Sequence, residues 1–382
     1  MNSKPKNDAG ASRRQFLTTS AASVVAVGAS SSMEAQENKD DTSKGLPITI
    51  AGYPYERVRA IQDGRVKVDK CQVKFEVDKI GDLNRHVFNG PKTRDVTEVG
   101  LIPFLLAFCN GGLRDYQLLP IFVLKVFRHK SIFVHSDRGI AKPEDLRGRK
   151  VATVGYSSSG LTWIRGIIQD EYGIKPEEIE WVVTAKDSAK GQTGGASKWE
   201  KVPPPKSVNV TYAPEGKTDS DLLLEGKVDA IFHPAEPKAF VDRHPKVERL
   251  FSDPRKVESD YFKKTGIYPI MHIVAIRSEL AKTQPWLPKA IFDAYSSAKQ
   301  SDYDEMRKIR WAYSSLPWFG QEFRNTVNLM GDNFYSYGIK ENRKALETVF
   351  RYLHQQGLSK RELTIDELFA PATLDFVDNS AV

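Results

Sequence analysis

The sequence predicts an α/β fold made of two lobes, with the second lobe inserted in the first. Short apolar segments that suit strands alternate with amphipathic segments that suit helices, which favours a largely parallel sheet. This alternation occurs in two series along the chain, and a late apolar strand could return the chain to the first series. The 382 residues are also enough for two domains, each with its own core.

The N-terminus has the layout of a twin-arginine export signal, which we place at residues 1–36. Arg13 and Arg14 precede a moderately apolar run, "LTTSAASVVAVGAS", which ends in small residues. A basic disordered tail is the alternative. The run is too short and too rich in Ser and Thr to span a bilayer, and no other segment is long enough. We therefore expect a periplasmic or secreted mature protein without stable membrane insertion.

The charge and the cysteine content limit the function further. The formal net charge is +7, and the export signal carries four basic and two acidic side chains, so its removal leaves +5. No Lys/Arg block or basic–aromatic motif indicates a nucleic-acid site, and the charge supports only a mild preference for anionic ligands. Cys71 and Cys109 could form one disulfide, although the sequence does not show their proximity. Two isolated Cys and seven scattered His have no metal-ligand spacing, so we expect no metal and no other cofactor.

The first series of elements begins at about residue 46. Strands are predicted at "LPITIAGY", at the alternating "CQVKFEV", at the start of "RDVTEVGLIP" and at the buried "LLPIFVLKVF". Helices are predicted in "RVRAIQDGRV" and "DLNRHVFN". The chain from "PWLPKAIFDAYSSAKQ" onward is mostly helical in pattern.

The second series follows "SIFVHSDRGI". It contains a short helix and strand in "KPEDLRGRKVATVG", an amphipathic helix ending at Gly173, and strands in "KPEEIEWVV" and "DLLLEGKVDAIFHP". The strand in "YPIMHIVAIRSEL" could return the chain to the first sheet. We place lobe 1 at residues 46–138 plus 267–382 and lobe 2 at 139–266. This is the plan of type 2 periplasmic binding proteins, whose ligands lie between the lobes where helix N-termini point inward.

Five segments resemble a known family. They are "GRVKVDKCQVKFEV", "VFRHKSIFVHSDRGI", "WIRGIIQDEYGIKPEEIEWV", "FSDPRKVESDYFKKTGIYPIMHIVAIR" and "LTIDELF", which together are similar to 4,5-dihydroxyphthalate decarboxylase and its close relatives. That family is similar in turn to solute-binding proteins of the type 2 fold. The resemblance extends over nearly all of the predicted mature chain. It implies a two-lobed protein that holds an aromatic carboxylate in its cleft.

The stretch "VATVGYSSSGLTWIRG" is predicted to run from a buried strand through a small-residue turn into a helix. A nucleophile elbow needs Gly-x-Ser-x-Gly, but Ser159 occupies the place of the second Gly. The alternative is a helix N-terminus that binds an anion. We expect the turn to receive a ligand carboxylate through Tyr156, Ser157, Ser158 and Ser159. Helix capping by these serines is the structural alternative.

Other candidate ligand contacts lie at strand ends. Tyr55 and Arg57 follow the first strand, where Arg can grip a carboxylate in a bidentate manner and Tyr can stack on a ring. Arg165 lies two turns beyond Ser158 and could reach the site or pair with Asp170 or Glu171. Glu98 is the most plausible buried carboxylate, with pairing to Arg57 or Arg85 as its structural role.

Three histidines are candidate acids for decarboxylation, which requires a proton on the ring carbon that loses CO2. They are His129, His233 and His272. His233 and His272 each end or interrupt an apolar strand, where a lone His is more often a core or cleft-wall residue. Arg128 and His129 are adjacent, so we expect only one of them to face the ligand. The same residues would suit a passive receptor. The main hypothesis is therefore a decarboxylase for an aromatic carboxylate, and the alternative is an exported solute-binding protein that delivers an organic acid to an ABC permease.

Overall fold

The computed structural model describes residues 45–185, 188–189, 198–309 and 311–382. These residues form two β-sheets with helices packed on them. The predicted export signal, residues 1–36, lies outside the described residues. No helix in the described ranges is both long enough and apolar enough to cross a membrane.

The first sheet has the strand order β2-β1-β3-β11-β4. Its strands are β1 (Leu46–Gly52), β2 (Cys71–Val77), β3 (Val96–Gly100), β4 (Tyr116–Lys125) and β11 (Ile270–Arg277). β1 is parallel to β2 and β3, whereas β11 is antiparallel to β3 and β4. β4 and β11 are buried along most of their length, which explains their nearly continuous apolar sequences.

The second sheet has the strand order β10-β5-β9-β6-β7-β8. Its strands are β5 (Ile132–His135), β6 (Lys150–Val154), β7 (Glu180–Thr184), β8 (Val210–Tyr212), β9 (Ala230–Phe232) and β10 (Val247–Arg249). β6 is parallel to β7 and β9, and β7 is parallel to β8. β5 is antiparallel to β9 and β10, so this sheet is mixed at one edge.

The chain changes sheet twice. It leaves the first sheet after β4 and returns with β11, the strand predicted in "YPIMHIVAIRSEL". The α/β fold with a second sheet inserted in the first is therefore confirmed. β5 lies in the second sheet, because it pairs with β9 and β10, although the predicted lobe 1 extends to residue 138. The change of sheet thus comes earlier than the predicted lobe boundary, and the lobe bounds otherwise stay a prediction.

Helices pack on both sheets. Most of the chain after residue 278 is also helical, as the sequence predicts. The α-helices are α1 (Glu56–Gln62), α2 (Ile80–Phe88), α3 (Leu101–Gly111), α4 (Ser159–Tyr172), α5 (Asp219–Leu224), α6 (Lys238–Val241), α7 (Pro254–Thr265), α8 (Ser278–Thr283), α9 (Leu287–Ile309), α10 (Phe319–Met330), α11 (Ile339–Gln355) and α12 (Ile365–Leu368). Short 3-10 turns lie at His129–Ser131, Ser136–Arg138, Pro143–Leu146, Pro176–Glu178, Lys198–Glu200 and Pro371–Thr373. Gly173 ends α4 with a φ of 67°, the left-handed conformation expected of a glycine C-cap.

Helix α4 follows a strand of the second sheet but packs on elements of the first. The indole Nε1 of Trp163 donates to the carbonyl of Ile270 in β11, at 2.9 Å. A Cβ at Gly166 would lie 2.1 Å from the ring of Tyr352 in α11, so only glycine permits this close approach. These contacts fix the N-terminus of α4 between the two sheets.

A buried ion pair ties the C-terminal residues to α9. The side chains of Lys299 and Asp378 are fully buried and form an ion pair. Lys299 Nζ also donates to Asn333 Oδ1 at 2.9 Å and to the carbonyl of Tyr335 at 3.0 Å. Burial lowers the pKa of Lys299 to about 8, against the opposing effect of Asp378. The charge of Lys299 inside the protein therefore depends on its acidic partner.

We expect Asp378→Ala to lower the free energy of unfolding by about 3–5 kcal/mol, because it leaves a buried ammonium group without its counter-charge. Urea unfolding of the purified protein measures the change. Asp375→Ala is the matched control, since Asp375 is exposed, and it should change stability by less than about 0.5 kcal/mol. Equal effects of the two substitutions would contradict the role assigned to the ion pair.

Candidate functional site

A cavity of about 900 Å³ lies between the two sheets. Its walls include the N-terminal ends of three helices, with Lys79 and Ile80 from α2, Gly100 and Pro103 from α3, and Ser158, Ser159 and Gly160 from α4. Backbone N–H groups at helix N-termini carry partial positive charge. The cavity therefore suits an anionic ligand.

Glu98 and His272 form a hydrogen-bonded pair in the wall of the cavity. They lie on the neighbouring strands β3 and β11, and His272 Nδ1 is 2.5 Å from Glu98 Oε1. The side chain of Glu98 is only 3% exposed and that of His272 is 15% exposed. β11 shifts its register against β4 on both sides of His272, and such bulges commonly redirect a side chain near a functional site. Among the described residues His272 Nε2 has no partner, so this nitrogen is left for a ligand.

Two tyrosines hold Glu98 from the end of β1. The hydroxyl of Tyr55 donates to Glu98 Oε1 and the backbone N–H of Tyr53 donates to Oε2, both at 2.9 Å. Burial, together with the neighbouring Glu98, raises the pKa of Tyr55 well above its ordinary range, so the phenol stays neutral and keeps its proton for this bond. The rings of Tyr53 and Tyr55 stack with their centroids 5.5 Å apart, and both line the cavity. The pair offers an aromatic surface to a planar ligand.

Arg128 brings a buried positive charge to the cavity. It is 6% exposed, donates from Nη1 to the carbonyl of Pro234 at 2.5 Å and places Nε 3.2 Å from Met271 Sδ. A Cβ at Gly160 would lie 3.1 Å from Arg128 Cζ, so the guanidinium rests against the first turn of α4. Burial lowers the pKa of Arg128 to about 10, which still leaves it protonated at neutral pH. No described carboxylate forms an ion pair with it, so its charge is available to an anion.

The serine hydroxyls of the turn before α4 are used by the protein itself. Ser158 Oγ caps the helix by accepting from Leu161 N at 3.3 Å, and Ser159 Oγ accepts from Ile102 N at 3.1 Å. The buried Ser157 hydroxyl contacts residues 199–202 and does not line the cavity. The N–H groups of Ser159 and Gly160 have no acceptor in the described ranges. The backbone, rather than the predicted hydroxyls, is thus what the turn offers to a ligand.

Arg165 lies behind the turn and outside the cavity wall. Its Nη2 donates to the carbonyl of Tyr156 at 2.5 Å, and its Cζ lies 3.6 Å from the centroid of the Tyr156 ring. Its Nε donates to Gln356 Oε1 at 2.8 Å. Asp170 and Glu171 pair with other residues instead. Arg165 therefore supports Tyr156, which does line the cavity, rather than touching a ligand there.

Arg57 also lies outside the cavity wall. Its guanidinium sits between the rings of Tyr55 and Tyr335, 4.1 and 4.3 Å from their centroids. Its Nε donates to the carbonyl of Val123 at 3.0 Å. The structure thus brings Tyr55 to the cavity but directs Arg57 away from it, because stacking and a backbone acceptor hold the guanidinium.

Neither His129 nor His233 lines the cavity. His129 is buried against the rings of Phe251 and Tyr261, with centroids 5.5 and 5.1 Å away. His233 is fully buried, and its Nδ1 accepts from Ala235 N at 2.9 Å. Of the three candidate acids, the structure brings only His272 to the cavity. Arg128 lines the cavity and His129 does not; Arg128 immediately precedes a 3-10 turn and His129 is its first residue, so neither lies on a strand.

Several cavity residues escaped the sequence analysis. Lys79 immediately precedes α2 and Asn84 lies within it. The N-terminus of α2 faces the cavity like those of α3 and α4, so the same rule about helix N-termini could have found Lys79. Asn84 Oδ1 accepts from Gly100 N at 3.0 Å. Glu200 and Lys201 come from the loop after β7, and no local pattern predicts their place in the wall.

The described residues contain no group of His, Cys, Asp and Glu arranged to hold a metal ion. Cys71 in β2 and Cys109 in α3 are free thiols, which settles the pairing that the sequence left open.

Comparison with known proteins finds relatives along nearly the whole chain. A 4,5-dihydroxyphthalate decarboxylase of Comamonas testosteroni is 32% identical over 332 residues, which is 86% of this chain and 98% of the relative. A protein of the same name from Pseudomonas putida is 30% identical over 220 residues, covering 57% of this chain and 82% of the relative. Residues 121–198 match the family described as NMT1/THI5 like.

Solved structures align with lower similarity. The periplasmic aliphatic sulphonate binding protein SsuA of Escherichia coli has a TM-score of 0.48 and 13% identity, covering 85% of this chain and 98% of that chain. The desulfurization enzyme DSZB has a TM-score of 0.46 and 14% identity, covering 86% and 98%.

The burial of His129 predicts a pH-dependent stability. Burial lowers the pKa of His129 to about 4, whereas an exposed His titrates near 6.5. As the pH falls from 6.5 towards 4, the unfolded chain gains a proton that the folded protein does not, so stability is lost in this window. We expect the free energy of unfolding of His129→Phe to fall by about 3 kcal/mol less than that of the wild type over this pH range.

Urea unfolding at about pH 7 and about pH 4.5 measures the effect. His354→Phe is the control, because His354 is exposed, and it should leave the pH dependence unchanged. If His129→Phe and the wild type lose equal stability on acidification, His129 is not held neutral in the folded protein.

Proposed function

The chain belongs to the 4,5-dihydroxyphthalate decarboxylase family, and from this premise we propose that it binds an aromatic carboxylate in the cavity and releases CO2 from it. The observation that carries the proposal is the placement of His272, whose Nδ1 is held by Glu98 while its Nε2 is left for a ligand. The name of the relatives suggests 4,5-dihydroxyphthalate as the substrate. The geometry that supports the proposal is that His272, Arg128 and the stacked rings of Tyr53 and Tyr55 all line the same cavity.

His272 would supply the proton. The imidazolium Nε2 gives its proton to the ring carbon that carries the scissile carboxylate, the bond to that carboxylate breaks, and its electron pair restores the aromatic ring. The products are CO2 and the acid with one carboxylate fewer, and the imidazole then takes a proton from water. Glu98 would keep the ring oriented: the Tyr53 N–H and the Tyr55 hydroxyl donate to its carboxylate, and the Nδ1 of the imidazolium would donate to Oε1.

Arg128 and the first turn of α4 would hold a carboxylate of the substrate. The guanidinium is buried and lies against Gly160, so both groups can reach the same anion. Hydrogen bonds from such charged groups are roughly twice as strong as those between neutral groups. The rings of Tyr53 and Tyr55, with Met271, Leu124 and Val126, give an apolar wall for the aromatic ring.

The alternative is an exported solute-binding protein that passes an organic acid to an ABC permease. It is favoured by the twin-arginine pattern at residues 1–36 and by the insertion of one sheet in the other. A receptor would bind through the same Arg128 and α4 but would return the acid unchanged. The two functions therefore differ in what happens at His272.

Purified protein, incubated with 4,5-dihydroxyphthalate, is expected to release CO2. His272→Gln should lower turnover at least about 100-fold while binding persists, because general acid catalysis is lost and the clamp remains. Arg128→Met should instead weaken binding at least about tenfold, since it removes the charged partner of the carboxylate. CO2 release measures turnover and calorimetry measures binding.

His354→Gln is the control for the histidine variant and should retain full turnover, because His354 is exposed and outside the cavity wall. Tight binding without CO2 from the wild type would leave the receptor as the better function. Turnover that survives His272→Gln would assign the acid to another group.

Export is a separate expectation. We expect the change of Arg13 and Arg14 to Lys to keep the precursor in the cytoplasm, because the paired arginines form the address that the twin-arginine route recognises. Cell fractionation and immunoblotting of the wild type and the double variant test this. A matched change of Lys4 and Lys6 to Arg preserves the charge and should not alter export. Periplasmic protein from the Arg13, Arg14 variant would rule out this route.

A further inference from the structure

We propose that Lys201 selects doubly charged over singly charged aromatic acids, and that the segment Trp199 to Pro205, here called the strap, fixes it at the cavity. This inference rests on the proposed function. The strap supplies Glu200, Lys201, Val202, Pro203 and Pro204 to the cavity wall. It follows a strand of the second sheet, and three contacts hold it in place.

The first contact joins the strap to α3, the helix that directly follows β3 of the first sheet. The ring of Trp199 rests on Gly111, where a Cβ would lie only 2.3 Å from Trp199 Cζ2. Any larger residue at Gly111 would therefore displace the indole. Through this contact the strap, which comes after β7 of the second sheet, packs on a helix that follows a strand of the first sheet.

The second contact holds the backbone on both sides of Lys201, and the third holds the end of the strap. The Ser157 hydroxyl donates to the carbonyl of Trp199 at 3.1 Å and accepts from Val202 N at 3.0 Å, so the backbone is fixed just before and just after Lys201. Pro205 packs on Gly357, where a Cβ would lie 2.8 Å from the proline ring. The buried Ser157 thus acts on the cavity through the strap, although it does not line the cavity.

Lys201 brings a positive charge to the cavity wall, next to the buried Glu200. Its side chain is exposed, lines the cavity and forms no ion pair within the described ranges. Lys79 stands on the wall formed by the first sheet, and Arg128 lies deeper. One carboxylate can engage Arg128 and the turn of α4. A second negative charge on the same ligand is attracted by Lys201 towards the strap.

The test compares phthalate, with two carboxylates, and benzoate, with one, by calorimetry on the purified protein. Lys201→Met keeps the length of the side chain and removes its charge. We expect the Kd for phthalate to rise about five- to tenfold and the Kd for benzoate to change by less than about twofold. The salt dependence of phthalate binding should also decrease. Lys206→Met is the matched control, since Lys206 is exposed nearby but does not line the cavity.

Gly111→Ala tests the strap independently. It should weaken phthalate binding and change the fluorescence of the protein, because the added Cβ displaces the Trp199 indole. Circular dichroism that matches the wild type shows that the variant is folded. Equal losses for phthalate and benzoate in Lys201→Met, or no loss for either, would overturn the inference. A wild type that binds neither acid nor 4,5-dihydroxyphthalate would instead overturn the proposed function.

Discussion

A carboxylate buried inside a protein must accept hydrogen bonds, and the way Glu98 meets this requirement organises the site. The groups that satisfy it come from the end of β1, through Tyr53 and Tyr55, and from β11, through His272. β3 lies between β1 and β11 in the first sheet, and β11 takes this place only because the chain returns to the sheet after the second one. The orientation of the His272 imidazole therefore depends on the return of the chain to the first sheet.

Arg57, Arg128 and Arg165 show how environment decides the role of a cation. Arg57 is held between two aromatic rings and Arg165 beneath Tyr156, and each gives its hydrogen bonds to backbone or amide oxygens away from the cavity. Arg128 also gives one bond to a carbonyl, but it remains in the cavity wall beside a helix N-terminus. A buried guanidinium that lacks an acidic partner costs free energy, which an anionic ligand can offset.

The sequence predicts the fold well because strand and helix periodicities are local, and the return strand in "YPIMHIVAIRSEL" is unusually apolar. It also indicates Tyr55, Glu98 and His272, each of which lies at or near a strand end where an α/β fold places its ligands. It does not separate His272 from His129 or His233, because all three lie beside apolar strands and differ only in which neighbours enclose them. Lys201 has no local signal, since its position depends on the contact of Trp199 with Gly111, far away in the sequence.

The packing of α4 on the first sheet restricts how the cavity can exchange its contents. Proteins built from two packed units often open by rotating one unit as a rigid body about a hinge. Here such a rotation would pull Trp163 from Ile270 and separate Gly166 from Tyr352, contacts that depend on close approach. An opening of the cavity that preserves these contacts would have to come from local displacement of its lining residues and not from rotation of one whole sheet with its helices.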